Sequence, residues 1–453
     1  MATFTHLRVS SAFSAHYGTA RPETLVATAH AMGMSAIGIT DRDGLYGAVR
    51  HIRTCLHFGL RPIVGVTLNL CERDGAPAGR VTILAHGKTH GRGWASLART
   101  ITASHAKRGK QQPTLRRDRL AGLLRGPDGI SVVVLLGPDS DVGVHLARGD
   151  NTRAQSALDW WKQTLPQAIR VEVVCHYTEP GTPGSLRHAA HMLELAETCE
   201  VPAVLSNAVR YLNPDEALTG DVLDAAEELR PLGAFTPQPN GQAWLKPADH
   251  MHAIAAAIVR RSTLDTGAAM RMLAETERVA ELCTLDPASD IGWKQAKIPE
   301  NDVIGLTGDP DRVLWHRAES AIMERYPYAN SALLDKVRQR MRDELTTIYG
   351  FGFSSYFLTV ADVTALIRRM GIRNQARGSG AGSLVNYLLR ISNVDPLEHD
   401  LLFERFLGNK RETLPDIDID VESARRHDIY RAIFERYGST RVSLMAMQNT
   451  YRA

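Results

Sequence analysis

Residues 373–422 read RNQARGSGAGSLVNYLLRISNVDPLEHDLLFERFLGNKRETLPDIDIDVE, and three features of this stretch carry chemistry. The first is the run Arg377-Gly378-Ser379-Gly380-Ala381-Gly382-Ser383, which opens an apolar helical pattern, LVNYLL. Small residues at a helix start let backbone N–H groups approach an anion, and the helix dipole favours phosphate there. Many such loops are ordinary turns, and no GK[ST] follows, so this is not a Walker A loop. The second feature is charge: residues 363–394 contain Arg368, Arg369, Arg373, Arg377 and Arg390 and no acid. Guanidinium groups suit phosphate oxygens, although solvated helix faces account for part of such a set. The third is Leu414-Pro415-Asp416-Ile417-Asp418-Ile419-Asp420-Val421. Alternating Asp and Ile spells a strand with one acidic and one apolar face. Carboxylates spaced two apart on one face repel one another unless a cation joins them. Adjacent carboxylates of this kind hold Mg2+ through hard oxygen ligands in two-metal phosphoryl-transfer sites. The plainer reading is an acidic, solvent-facing edge strand.

Working outward, the pattern upstream of this stretch is helical from about residue 330, through MRDELTTIYGFGFSSYFLTVADVTALIRRMGI to residue 372. Before that, residues 249–284 look helical, and irregular joins are expected at 229–248, rich in Pro, Gly, Gln and Asn, and at 285–300. The first 210 residues alternate short apolar runs with amphipathic stretches. Strand candidates lie near 4–9, 36–40, 62–66, 81–85, 130–136, 169–174 and 203–206, with helical patterns between several of them, as at 22–33 and 186–199. This alternation predicts parallel strands joined by helical crossovers, and seven units suit a distorted barrel as well as an open sheet. Residues 86–125 break the rhythm with ten Lys/Arg and one acid, Asp118. That segment reads as a solvated face or as a phosphate-contacting patch.

The chain has 453 residues, which suggests two to four domains. With 44% hydrophobic residues it is not disordered as a whole. A formal charge of +3, from 53 basic and 50 acidic residues, excludes neither a nucleic-acid partner nor a small-molecule one. Cys55, Cys71, Cys175, Cys199 and Cys283 include no CxxC pair, which argues against a zinc ribbon and a disulfide framework. The opening MATFTHLRVS lacks the apolar core of a signal peptide, and no apolar run approaches a membrane span. The expectation is a cytoplasmic protein without a membrane partner.

RGSGAGSLV, VDPLEHDLLFERFL and PDIDID, in this order and spacing, resemble the alpha subunit of bacterial DNA polymerase III and its error-prone relatives, the C-family polymerases. FTHLRV, ITDRDGLYG and RPIVGV look like the family's N-terminal polymerase-and-histidinol-phosphatase (PHP) domain, and ELTTIYGFGFSSYFLTVADV like the helical entry to its palm. The resemblance implies a PHP-type seven-stranded α/β barrel at 1–228. It further implies a connector with a helical segment at 229–300, and an incomplete α+β palm of the polymerase β-like nucleotidyltransferase type at 301–453. It assigns Mg2+ binding to Asp416 and Asp418, with Asp420 in support. It assigns the grip on the incoming triphosphate to Gly378 and Ser379, with Arg377 beside them and Arg405 of FERF as a further phosphate contact. The implied reaction is attack of a primer 3′-hydroxyl on the α-phosphate of a dNTP, on a primer-template and with other replication subunits as partners.

Two departures from the family pattern stand out. Relatives with a metal-binding PHP site carry His, Asp and Glu where this chain has Arg8, Ser10, Tyr17, Arg42, Thr67, Arg80, Ala208 and Arg210. Arginine offers no lone pair to a metal. The expectation is therefore a scaffold without a metal cluster, its new arginines facing DNA or pairing internally with residues such as Asp41 and Asp43, and with His6 and His176 as isolated remnants. In the family, moreover, a thumb, a third catalytic aspartate, fingers and a clamp-binding tail follow the first palm segment, which leads us to expect a chain inactive alone. Two other readings stay open: a non-catalytic remnant that binds DNA or a replication subunit, and a PHP-type metal-dependent phosphoesterase or exonuclease.

Overall fold

The computed structural model describes residues 3–106, 112–126, 129–408, 415–438 and 441–444. They form two compact units, Met1–Trp293 and Lys294–Ala453.

The first unit is built on one mixed sheet. Its strands are β1 (Ala36–Ile39), β2 (Arg61–Cys71), β3 (Pro77–Ala85), the two-residue β4 (Leu115–Arg116), β5 (Val132–Leu136), β6 (Ile169–Val174) and β7 (Ala203–Ser206). The order is β1-β2-β3-β5-β6-β7, with β4 beside the end of β2. β1, β5 and β6 are buried along their whole length; β1 and β5 accordingly read as unbroken apolar runs, whereas β6 buries Arg170 and Glu172 among its apolar residues. Two expectations need correction. First, β3 runs antiparallel to both β2 and β5. The five residues Glu72–Ala76, turning at Gly75 with φ +90°, are too short for a crossover helix and close a hairpin instead. Second, the run at 4–9 is not a ladder strand. It lies between the two ends of the sheet: the Gly38 and Thr40 amides donate to the carbonyls of His6 and Val9, while Ser10 and Val209 exchange bonds with Val209 and Arg8.

The stretch 229–300, expected as a connector, supplies helices Ala248–Arg261 and Ala268–Leu282 to the core of this first unit. Met251, Ile258 and Met272 join the cluster that holds Val134, Leu158 and Leu193. Thr276 Oγ1 accepts from the Leu205 amide at 2.9 Å, so the helix is bonded to β7 itself. Apolar i, i+4 faces on both helices demanded burial, and the sheet edge was the available partner.

The second unit packs helices Pro310–Arg325, Ser331–Gly350 and Ser354–Arg369 around Leu314, Met341, Leu345, Phe357 and Phe406. The helical pattern expected through to residue 372 breaks at Phe351–Phe353, where Gly352 takes φ +69° and the chain turns by 114°. Among the described residues no single helix is long and apolar enough to cross a membrane. Strand β8 (Asn374–Arg377) pairs antiparallel with β9 (Asp418–Val421), and helix Arg426–Tyr437 follows.

Candidate active site

The register of the two-stranded sheet positions the site. Arg377 stands opposite Asp418, and Gln375 opposite Asp420. Along β9 the aspartates are exposed, whereas Ile419 and Val421 are half-buried against the core, as the alternation requires. Leu414 lies outside the described residues. Arg377 reaches across to the acidic face: its Nε is 3.1 Å from Asp420 and its Nη2 is 3.5 Å from Asp418. A residue expected at the triphosphate thus bridges two carboxylates of the run.

The glycine loop continues directly from β8 as a 3-10 turn, Gly378–Gly382. Gly378 has φ +69°, where a side chain is disfavoured, and its Cβ position lies 4.0 Å from an Asp418 carboxylate oxygen. A Cβ on Gly380 would sit 4.0 Å from the Asp416 carbonyl oxygen and 3.7 Å from Phe406, so the loop lies over both the acidic run and the FERF turn. Ser379 is exposed in this loop, and Arg405 is exposed at the end of the turn Phe403–Arg405.

Two residues that the sequence reading missed organise the site. Tyr356 Oη donates to the Pro415 carbonyl at 2.9 Å and accepts from the Ile417 amide at 3.1 Å. One hydroxyl therefore pins the backbone on both sides of Asp416. Glu344, fully buried, accepts from Ser383 Oγ at 2.9 Å and from the Leu384 and Val385 amides at 2.9 and 3.1 Å, and pairs with Arg340 at 2.7 Å. This corrects the expectation of phosphate at the helix start. The N-terminus of Leu384–Leu388 already holds an anion, and it is the protein's own carboxylate.

In the first unit, the positions singled out for their departure from metal ligands do come together, but as an arginine network. Arg8 forks onto Asp139 at 2.7 and 3.0 Å and reaches Glu172, which is wholly buried, at 3.0 Å. The Tyr17 ring is covered by the guanidiniums of Arg42 and Arg210, 3.2 and 4.2 Å from its centroid. Arg210 also forks onto Asp224 and donates to the Tyr17 carbonyl. Arg80 lies 3.8 Å from Asp43, and burial together with Arg42 holds its pKa below the ordinary arginine range. Thr67 Oγ1 bonds the Thr40 carbonyl, the Ser10 amide bonds Val209, and Ala208, at φ +42°, bonds Ser206. The expected pairing of an arginine with Asp41 is not what forms. Ser11 and Ser14 fill its oxygens with one amide and two hydroxyl bonds. His6 and His176 bond the carbonyls of Lys246 and Asn207, and burial lowers both pKa values to about 4. Among the described residues no group of three or more His, Cys, Asp or Glu is arranged to hold a metal ion.

The segment 86–125, read as a basic patch, is partly engaged internally. Arg116 pairs with Asp118, Arg117 with Glu72 and Asp141 while covering Trp160, and Arg125 bonds the Thr164 carbonyl. Lys107, Arg108 and Lys110 lie outside the described residues.

Comparison with known proteins finds two families along the chain. The PHP domain family matches residues 6–176, and the family described as bacterial DNA polymerase III alpha NTPase domain matches residues 312–453. The error-prone DNA polymerase of Symbiobacterium thermophilum is 30% identical over 468 residues, spanning 100% of this chain and 40% of that protein. DNA polymerase III subunit alpha of Escherichia coli K12 is 28% identical over 463 residues, spanning 99% of this chain and 37% of that protein. The chain thus spans about two fifths of the length of the curated relatives it matches. Among solved structures, an amidohydrolase from Chromobacterium violaceum aligns at a TM-score of 0.31 and 12% identity, covering 46% of this chain and 88% of that one.

Proposed function

The chain belongs to the family of bacterial DNA polymerase III alpha subunits and error-prone DNA polymerases, and from that premise we propose that it serves template-directed DNA synthesis. In this reading it contributes the PHP-type domain and the first palm segment to nucleotidyl transfer from a dNTP to a primer 3′-hydroxyl. The work takes place in the bacterial cytoplasm, on a primer-template and beside other replication subunits.

The observation that carries the reading is the β8–β9 register, which sets Arg377 and the glycine loop against Asp418 and Asp420. The donor set fits Mg2+ in kind, since carboxylate oxygens are hard ligands and the face already draws a cation, the Arg377 guanidinium. Asp416 and Asp418 would hold the ions, with Asp420 in support. Mg2+ held there would supply a lowered pKa at the attacking hydroxyl and charge neutralisation at the phosphates. Tyr356 keeps the Asp416 backbone fixed. Gly378 leaves room for phosphate oxygens beside Asp418, and Ser379 and Arg405 offer exposed donors to the triphosphate. Arg377, beside those carboxylates, would present its fork to the same phosphates if Mg2+ took its place on them. The PHP-type domain acts as a scaffold, since guanidiniums cannot take the place of metal ligands.

The test is primer extension by a chimera that joins this chain to the remainder of the Symbiobacterium thermophilum polymerase. We expect it to extend a primer, and Asp418→Asn to abolish extension while leaving DNA affinity within about twofold, because a lost metal ligand removes several kcal/mol of charge stabilisation. Normal extension by the variant would refute the assignment of Asp418. DNA binding by the chimera without any incorporation would favour a non-catalytic remnant.

A further inference from the structure

Three arginines of the second unit, drawn from three elements, meet at the end of β8 remote from the glycine loop, and a fourth, the exposed Arg369, directly follows one of them in the chain. Arg325 closes helix Pro310–Arg325, Arg368 and Arg369 close helix Ser354–Arg369, and Arg390 follows helix Leu384–Leu388. Arg368 donates to the Arg390 carbonyl, Arg390 pairs with Glu324, and Arg325 covers the Tyr387 ring at 3.6 Å while bonding the Ser392 carbonyl at 2.9 Å. The acids close by are already engaged. Glu324 holds Arg390, and Asp395 accepts from Tyr326 Oη at 2.8 Å and from the Leu397 amide at 2.9 Å. Positive charge remains in excess. Arg325 Nε is buried with no hydrogen-bond partner. Burial, then Arg390, Arg325 and Arg369, holds the Arg368 pKa below its ordinary value.

The plainer role is to cap helix C-termini, and it accounts for Arg325 and Arg368. It does not account for Arg390, which sits just past a helix end at φ +59°, where glycine is the usual residue and any Cβ is disfavoured. An arginine kept in such a conformation points to a use for its charge. The site's place is fixed by Asn393, whose side chain donates to the Asn374 carbonyl and whose amide donates to Gln375 Oε1, both at 3.2 Å. The Arg390 turn therefore abuts the start of β8, while Arg377 and the glycine loop lie at its end. Four strand residues separate them by about 10 Å, roughly three nucleotide rises along a strand.

We propose that Arg325, Arg368, Arg369 and Arg390 form a second phosphate site, separate from the glycine loop, that holds the sugar-phosphate backbone of a nucleic-acid strand. The choice of a nucleic acid rests on the polymerase reading, while the site itself rests on geometry. Arg369 and Arg390 are exposed on the surface, which suits a backbone passing across it.

The experiment is fluorescence anisotropy of the full chain with a labelled 20-nucleotide single strand, between 50 and 200 mM NaCl, without dNTP or divalent metal. Arg369→Glu and Arg390→Gly are compared with Arg261→Glu, an exposed arginine of the first unit. Arg390→Gly relieves the positive φ, so its melting temperature should hold or rise and misfolding is set aside. We expect both site variants to bind about tenfold more weakly at 50 mM salt. The slope of log K against log salt should shrink by about 0.7 for each phosphate no longer neutralised, and Arg261→Glu should change neither quantity. Unchanged affinity and slope in both site variants, or no binding by the unsubstituted chain, would overturn the proposal. Loss of binding to a fluorescent dATP analogue with DNA binding unchanged would overturn the nucleic-acid assignment in favour of a free nucleotide. Failure of primer extension alone would touch only the polymerase reading.

Discussion

One phenolic hydroxyl fixes the local backbone geometry of the acidic run. Tyr356 spans the peptide groups on either side of Asp416, and neither bond involves the carboxylate itself. Removing the hydroxyl should leave the ring packed and the fold intact while loosening the aspartate. A net hydrogen bond contributes about 0.5–1.5 kcal/mol. We therefore expect Tyr356→Phe to weaken Mn2+ binding, followed by paramagnetic relaxation of solvent water, by about 2- to 10-fold, with a melting temperature lowered by only a few degrees. An unaltered Mn2+ affinity would leave Tyr356 as packing only. The aspartates were legible in the sequence because a period of two is written residue by residue. Tyr356 was not, because its role depends on a tertiary approach across about sixty residues, and nothing in SSYFLTV marks a hydroxyl that will leave its own helix. Arg377 was legible as a charged neighbour of the loop, but its partners across the β8–β9 ladder were not.

Helix and strand ends follow local rules only until a distant group intervenes. The small residues and Ser383 announced the start of helix Leu384–Leu388, and Ser383 does cap it. The occupant of its free amides is Glu344, on a helix some forty residues upstream, where an acid beside Asp343 in a run with Arg338, Arg340 and Arg342 carries no local mark of burial. That carboxylate ties the glycine loop to the long helix Ser331–Gly350, so its loss should be felt at the loop. Glu344→Gln leaves Arg340 without its charge partner and weakens two amide bonds. We expect a loss of about 3 kcal/mol, read as a lower urea midpoint of the full chain by circular dichroism, since breaking one side of a buried pair strands the other. A midpoint within error of the parent would mean that the loop stands without it. The hairpin between β2 and β3 shows the same limit from the other side. Asp74-Gly75 is a turn signal, but the surrounding strand–helix rhythm argued for crossovers, and only the loop's shortness decides the matter.

At the scale of the molecule, the buried histidines link fold to pH. His6 and His51 bond backbone carbonyls in the interior, and burial lowers both pKa values to about 4. The unfolded chain takes up protons near 6.5, well before the folded one. Stability from these neutral rings is thus complete above about pH 6.5 and is lost as pH falls towards 4, at about 1.4 kcal/mol per pH unit for each ring. The urea midpoint at pH 5.0 should lie clearly below that at pH 7.5. Equal midpoints would mean that the rings are hydrated. The barrel-like first unit was legible because most of its strands contain unbroken apolar runs, whereas the helices at 248–282 were not assignable to it, because amphipathicity says that a face is buried and not against what.

The Arg8 guanidinium held between Asp139 and Glu172 carries a last consequence. A cation of this kind is made on the ribosome together with the chain. Nothing has to be loaded, chaperoned or scavenged for this centre to assemble, and no chelator, competing ion or oxidant can exchange it. A shortage of trace metals in the cell leaves the Arg8 cation itself untouched.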